Sequence, residues 1–170
     1  MNIKIRRATA QDAHTIWRFI RQLADYQNHF AQIETTPASL REQMLSKNPP
    51  FHCLLAEDNE KPVGFALYHY NYSTWDGKPG IYIDDLFVLK QWRSNGIGKL
   101  LMQELAKIAL EQGCSRIELS VLNWNKPSIA AYENWGGKQL TNWLSFRFDQ
   151  ESINQLADAD DKRANTLSSR

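Results

Sequence analysis

The sequence predicts an α/β (α+β) fold on one central mixed sheet, and three observations carry that reading. Helix-period and strand-period segments follow one another along the chain, glycine and proline mark the changes, and one strand runs through a glycine turn into an amphipathic helix. The order read is strand, two helices, three strands, helix, strand, helix, strand. Such an order layers helices on a sheet but names no reaction.

Residues 3–7 read as a short strand. Thr9-Ala10-Gln11-Asp12 has the form of a capping box, and Ala13, Ile16, Trp17, Ile20, Leu23 and Ala24 then recur at three- and four-residue spacing on one helical face. Thr36-Pro37 supplies an N-cap and a first-turn proline to a second helix through Leu40, Met44 and Leu45, which stops before Pro49-Pro50. Residues 52–57 and 63–70 are apolar and aromatic, and the polar run Asp58-Asn59-Glu60-Lys61 between them predicts a hairpin. After a loop with Trp75, Gly77, Pro79 and Gly80, residues 81–89 read as a strand carrying the adjacent carboxylates Asp84 and Asp85.

Gly96 to Gln112 reads as a helix with Ile97, Leu101, Leu105 and Ile108 on one face and Gly113 at its end. Arg116 to Leu122 follows as a strand, Pro127 to about Trp135 as a shorter helix closed by Gly136-Gly137, and Asn142 to Phe148 as a last strand. Residues 1–157 form the predicted domain. The polar tail, 158–170, has little apolar surface to offset its ordering entropy and is expected to be disordered or loosely docked.

With 170 residues, 42% hydrophobic and 23% charged, the chain suffices for one domain with a real core. Twenty basic against nineteen acidic residues leave a net charge of +1, so neither a nucleic acid nor a membrane surface is expected as partner. Cys53 and Cys114 form no CxxC, and His14, His29, His52 and His69 show no ligand spacing. No metal and no disulfide framework are expected. The N-terminus has no long apolar run, and no stretch approaches the roughly 20 apolar residues of a membrane span. The expectation is a reduced, cytoplasmic protein.

Arg93-Ser94-Asn95-Gly96-Ile97-Gly98-Lys99 lies between a strand and a helix start. Glycines there admit close approach of a ligand, and free amides at the helix start suit an anion such as a pyrophosphate. Two other phosphate loops fail: Arg93 stands where GxxxxGK[ST] needs its first glycine and Leu100 follows Lys99, while Leu101 stands where GxGxxG needs its third. By itself the turn reads equally as an ordinary glycine-capped helix entry.

The chain resembles the GNAT superfamily of N-acetyltransferases, whose [QR]xxGxG motif is matched by Arg93, Gly96 and Gly98. More closely it is similar to the diamine (spermidine/spermine) N1-acetyltransferase family, through segments 5–9, 51–54, 63–66, 82–88 and 124–132 in order. The resemblance implies a twisted mixed sheet with a splayed strand pair for acetyl-CoA, a homodimer, and acetyl transfer to a small primary amine. It implies that acetyl-CoA, as co-substrate, meets Leu86, Phe87, Val88, Arg93, Ser94, Asn95, Gly96, Ile97, Gly98, Lys99, Asn125, Ser128 and Tyr132. Tyr26, Gln27, Trp75, Asp84, Asp85 and Lys126 fall at or near the amine site, with Asp84 and Tyr132 catalytic.

An alkyl amine with pKa near 10.4 is unprotonated in only roughly one molecule in 2,500 at pH 7, a handicap of about 4.6 kcal/mol. Asp84, at the position usually held by a glutamate, implies a base acting through ordered water or a carboxylate that holds the ammonium. Asp85 projects to the other face by alternation unless a bulge intervenes. A strand amide near Val88 implies oxyanion stabilisation, and Tyr132 implies the acid for the leaving thiolate. On residue type alone, Asp84 and Asp85 read also as solvated strand residues or partners of an arginine, Tyr132 as a packing aromatic, and Asn125 and Ser128 as helix caps. Cys53 and Cys114 read as inert core residues, against a covalent acyl-cysteine route.

Three positions depart from the polyamine pattern of acidic residues: Gln27, Ser73 and Lys126. Fewer negative charges disfavour a long polycation and point to a short diamine, a lysine-like amino acid or its thioether analogue, with Lys126 available to a substrate carboxylate. Two rival classes remain at this stage, a protein or tRNA acetyltransferase and a non-catalytic CoA-binding module.

Overall fold

In the computed structural model, which describes residues 1–27 and 33–167 with side chains as far as 158, five strands form one sheet. They are β1 (Ile3–Arg7), β2 (His52–Asp58), β3 (Lys61–Ser73), β4 (Lys78–Val88) and β5 (Ile117–Leu119), side by side in that order. Pairing is antiparallel from β1 to β4 and parallel between β4 and β5, which makes the sheet mixed as expected. The β2–β3 hairpin turns on Asn59 and Glu60, both at positive φ (47° and 66°), the backbone twist that a two-residue hairpin needs.

Helix α1 (Ala13–Tyr26) begins after a 3-10 turn whose capping box joins Thr9 and Asp12. Arg6 fixes that start to β1, since its guanidinium donates to both oxygens of Asp12 at 2.8 Å and to Glu57 at 2.9 Å. Helix α2 (Pro37–Leu45) starts on the predicted Thr36 cap, which accepts from the Ser39 amide. On one face of the sheet Ile16, Phe19 and Leu23 of α1 and Leu40 of α2 pack on Leu55, Phe65 and Phe87. The opposite face buries Ile97, Leu101, Leu105 and Ile108 of α3 (Ile97–Glu111) against Leu54, Ala66, Ile81 and Ile83. Period-two alternation in β2, β3 and β4 feeds both cores.

The chain divides into two compact units, Met1–Ala131 and Tyr132–Arg170. The sheet, α1, α2 and α3 lie in the first; α4 (Lys126–Asn134) crosses the division, and α5 (Gln150–Leu167) lies in the second.

Two expectations are corrected. Strand β4 starts at Lys78, so Pro79 and Gly80 pair with Tyr72 and Asn71 rather than forming a loop; proline is tolerated because it stands near the strand's start. Residues 142–148 form no strand. Their alternation is strand-like, but a strand is held by its ladder, and the second unit has no other strand among its described residues. Helix α5 spans Gln150–Leu167, and at its start Asp149 Oδ1 accepts from the Ser152 amide and hydroxyl at 2.9 and 2.7 Å. His29 and residues 168–170 lie outside the described residues.

Candidate active site

The site is built where β4 and β5 part. Their parallel ladder joins only Ile81–Ile83 to Ile117–Leu119, whereas β4 keeps β3 as far as Val88. Among the described residues, the stretch from Asp84 to Val88 therefore pairs on one edge only, with β3. The Leu89 amide donates to the Val63 carbonyl at 2.9 Å, so ladder alternation turns the polar groups of Leu86 and Val88 away from β3. Gly64 makes this close approach possible: a Cβ there would lie 2.8 Å from the Phe87 carbonyl oxygen and 3.2 Å from Val88 Cγ2.

Beyond Val88 the chain makes a 3-10 turn at Lys90–Trp92 and enters the glycine segment. Ser94 and Gly96 have φ of 63° and 76°, and the Asn95 side-chain amide ties the turn by donating to the carbonyls of Trp92 (3.2 Å) and Arg93 (3.1 Å). Gly96 is the N-cap of α3 and has no side chain to accept from the helix start. The first bond from this cap runs from the Leu100 amide to the Gly96 carbonyl at 3.0 Å, so the amides of Ile97, Gly98 and Lys99 precede the regular ladder. Free amides at the positive end of a helix dipole form an anion site.

A register shift in the β3–β4 ladder decides the carboxylates. Leu67 pairs with Asp85 and Tyr68 with Ile83, which leaves Asp84 as the extra residue of a bulge. Ile83, Leu86 and Val88 join the α3-side core while Phe87 joins the α1-side core, so Asp85 faces the α1 side. His69 follows Tyr68 of the α3-side core and faces the α1 side too, where its Nδ1 lies 2.7 Å from Asp84 Oδ2. The bulge thus sets both carboxylates on one face. Burial, and next the charge of Asp84, push the Asp85 carboxyl up to about 6.

The end of α1 closes around the same strand. Arg93 lays its guanidinium 4.3 Å from the Tyr26 ring centroid and 5.4 Å from that of Phe87, while its Nε donates to the Val88 carbonyl at 3.0 Å. The Tyr26 hydroxyl donates to Asn125 Oδ1 at 3.3 Å, and that oxygen also accepts from the Ser128 amide at 3.4 Å. Trp124 packs on Tyr26 at 5.9 Å between ring centroids. A strand parting from its neighbour, an uncapped glycine turn and paired carboxylates between them make a thioester-and-amine site chemically sensible.

The sequence profile of the acetyltransferase (GNAT) family matches residues 15–136. The chain belongs to the GNAT family. It is 39% identical over 165 residues to thialysine N-epsilon-acetyltransferase of Mus musculus, covering 91% of this chain and 96% of that protein. It is 35% identical over 164 residues to spermidine/spermine N(1)-acetyltransferase-like protein 1 of Homo sapiens, covering 91% of this chain and 24% of that one. Among solved structures, an integron cassette protein from the mobile metagenome of V. cholerae shares the fold with a TM-score of 0.76 at 24% identity, over 94% and 99% of the two chains.

This GNAT protein is therefore an N-acetyltransferase, and its co-substrate is acetyl-CoA. The observed elements fit that group: the uncapped start of α3 suits its pyrophosphate and the parted strand its pantetheine arm. No group of three or more His, Cys, Asp or Glu that could hold a metal ion occurs among the described residues.

Of the sequence-predicted residues, the fold of this GNAT acetyltransferase brings Tyr26, Phe87, Val88, Arg93, Asn125 and Ser128 into one connected set. Asp84, Asp85 and Leu86 continue it along β4; Ser94, Asn95, Gly96, Ile97, Gly98 and Lys99 continue it into α3. Gln27 caps the end of α1, and Lys126 stands exposed at the start of α4. Trp75 is not brought in: it is 92% exposed at the β3–β4 turn, about 20 Å along the strand from Asp84 at the usual rise per residue. Tyr132, on α4, packs edge-on against Trp135 at 5.7 Å, and burial pushes its phenol up. Sequence reading missed His69 as a partner of Asp84, and Gly64; pairing the hairpin residue by residue places both on the strand beside Asp84–Val88.

Proposed function

We propose that this acetyltransferase moves an acetyl group from acetyl-CoA directly to the terminal amine of a lysine-like amino acid or short diamine, inside a ternary complex. The observation that carries the reading is the bulge that turns Asp84 and Asp85 to one face where β4 leaves β5. Paired carboxylates attract an ammonium, and Tyr26 and Gln27 at the end of α1 bound the same neighbourhood. The relative named for thialysine supports an acceptor with its own carboxylate, for which the exposed Lys126 is a candidate cation.

Acetyl-CoA supplies an activated acyl thioester, and the residues of the chain do the rest. Asp84 holds the ammonium and draws off its proton, directly or through water. The outward-turned amide of Val88 stabilises the charge that develops on the acyl oxygen. Tyr132 gives its phenolic proton to the leaving sulfur, and burial keeps that phenol protonated at neutral pH. Neither cysteine suits a covalent relay, because burial pushes both thiols up and Cys53 is buried in the α1-side core.

The catalytic domain of the proposal spans 1–157. Homodimerisation is supported by apolar side chains left exposed in the second unit, Trp143, Leu144, Phe146 and Phe148 among them. A cytoplasmic location is supported by two free cysteines. The test incubates the protein with acetyl-CoA and a panel of lysine, thialysine, short diamines, polyamines and aminoglycosides while thiol release is followed, with Tyr132→Phe in parallel. Turnover on lysine-like or diamine acceptors, greatly slowed in Tyr132→Phe, is the expected result. Thermal stabilisation by acetyl-CoA without thiol release from any amine would replace the reading with a macromolecular acceptor or a binding module.

A further inference from the structure

Acetylating an ammonium releases a proton that the products do not retain. The nitrogen begins with three N–H bonds and ends as an amide with one; of the two protons lost, one ends on the coenzyme sulfur and one must reach water. A site that holds the ammonium against a carboxylate needs an exit for that second proton. An ordinary carboxyl near 3.9 stands about 6.5 pH units below an alkyl ammonium near 10.4, whereas an imidazole near 6.5 narrows the gap to about 4.

We infer that His69 is this exit, a relay that takes the proton from Asp84 and delivers it to solvent. His69 Nδ1 lies 2.7 Å from Asp84 Oδ2, a distance at which a proton passes without rearrangement. The two side chains are 38% and 41% exposed, so the far nitrogen of the ring has access to water. The ring lies beside Tyr82 of β4, 5.4 Å between centroids, and the Tyr82 hydroxyl is 2.7 Å from Ser120 Oγ of the chain after β5. This packing holds the imidazole to one side and aims Nδ1 along β4 at the bulge. An exposed histidine–carboxylate contact contributes little to stability even when both groups are charged, so fold maintenance alone gives no reason for the pairing.

In balanced form, an N–H bond of the substrate breaks and its proton goes to the Asp84 carboxylate. With the ring proton of His69 on Nε2, Asp84 passes the proton to Nδ1 and Nε2–H is lost to water; the ring regains its starting tautomer when Nδ1–H is given up and Nε2 reprotonated by solvent before the next turnover. No oxidant or further reactant is required. The charged and titratable groups around His69 are Asp84 and Tyr82 on β4, and Asp85 beside Asp84 on the bulge. On the opposite face of β3, His52 packs against Tyr68 and Tyr70, and burial pushes it below the ordinary imidazole value. His69 acts through Asp84 and is a positioning and relay residue.

The inference rests on the reading of Asp84 as the amine-side carboxylate, and the experiment separates the two. Wild type, His69→Gln and His69→Ala are compared on the best acceptor of the panel, with kcat followed from pH 5.5 to 9 and melting curves taken for each. The expected result is a fall of at least tenfold in kcat for both variants at pH 7 with acetyl-CoA KM little changed. Added imidazole should restore His69→Ala, and its restored rate should follow the concentration of neutral imidazole. Unchanged kcat in both variants would overturn the inference while leaving the function in place. So would a loss that imidazole does not restore in variants that melt like wild type. Absence of turnover in wild type itself would instead remove the reading of Asp84 on which the relay stands.

Discussion

The guanidinium of Arg93 stacks on Tyr26, 4.3 Å from guanidinium carbon to ring centroid, and so joins the turn after β4 to the end of α1. The same side chain donates through Nε to the Val88 carbonyl, which fixes the last residue of β4 where it has lost β5. Arg93→Lys keeps the charge and loses both the planar contact and the fixed donor. A cation–π contact and one such hydrogen bond together make a loss of about 1–3 kcal/mol in stability the expected outcome. On the proposal that Val88 and the glycine turn serve acetyl-CoA, its KM should rise while the amine KM changes less. Urea melts and initial rates check this, and an unchanged acetyl-CoA KM would detach Arg93 from the site.

Asp85 has a pH signature with a definite sign. Its carboxyl is raised to about 6 by burial and by Asp84, so between the ordinary carboxyl value and 6 the folded protein binds more protons here than the unfolded chain. Stability from this group is full below the unfolded pKa, falls as pH rises towards 6, and stays lowered by about 1–3 kcal/mol above it. Asp85→Asn should therefore be more stable than wild type at pH 7 and equal to it near pH 4, while binding the ammonium substrate more weakly. Melts across pH 4–8 decide it: parallel curves would mean that Asp85 is solvated.

Most of the fold was legible because periodicity reports burial. Ile16, Leu23, Leu101 and Leu105 recur at helical spacing along the sequence, and all are buried. The glycine turn was legible because Gly96 stands where only the backbone matters, at φ 76° with nothing within 4 Å of an added Cβ. The facing of Asp84 and Asp85 was not, because a bulge depends on how β3 lies against β4 and leaves no local mark in either strand. The His69 contact hides for the same reason, fifteen residues away in sequence. Residues 142–148 show the converse limit: strand-like alternation predicts a strand only if a ladder partner is present.

Lys126 tests the acceptor class. It is exposed at the start of α4 beside Asn125, whose side chain meets Tyr26. If it meets the carboxylate of a lysine-like acceptor, Lys126→Glu should raise the KM of lysine and thialysine roughly tenfold, the size of about 1.4 kcal/mol, and spare or improve purely cationic diamines. The ratio of kcat/KM values for the two acceptor types is the measurement. An unchanged ranking would place Lys126 in solvent and leave the acceptor to be chosen by the acidic pair alone.

The apolar segment of the second unit makes the final prediction. Leu144, Phe146 and Phe148 alternate with Ser145 and Arg147, and the three are 82%, 83% and 60% exposed. A row of large side chains at two-residue spacing in open water costs solubility unless a surface covers it, and the proposed homodimer supplies a second copy. Leu144→Lys with Phe146→Lys should then convert the dimer to monomer in sedimentation velocity at micromolar concentration, while Ser145→Lys, between them, should leave the dimer intact. The first unit has its own two cores, so the double variant should keep its far-ultraviolet circular dichroism. A wild type that sediments as a monomer, or a double variant that remains dimeric, would remove this segment from the interface.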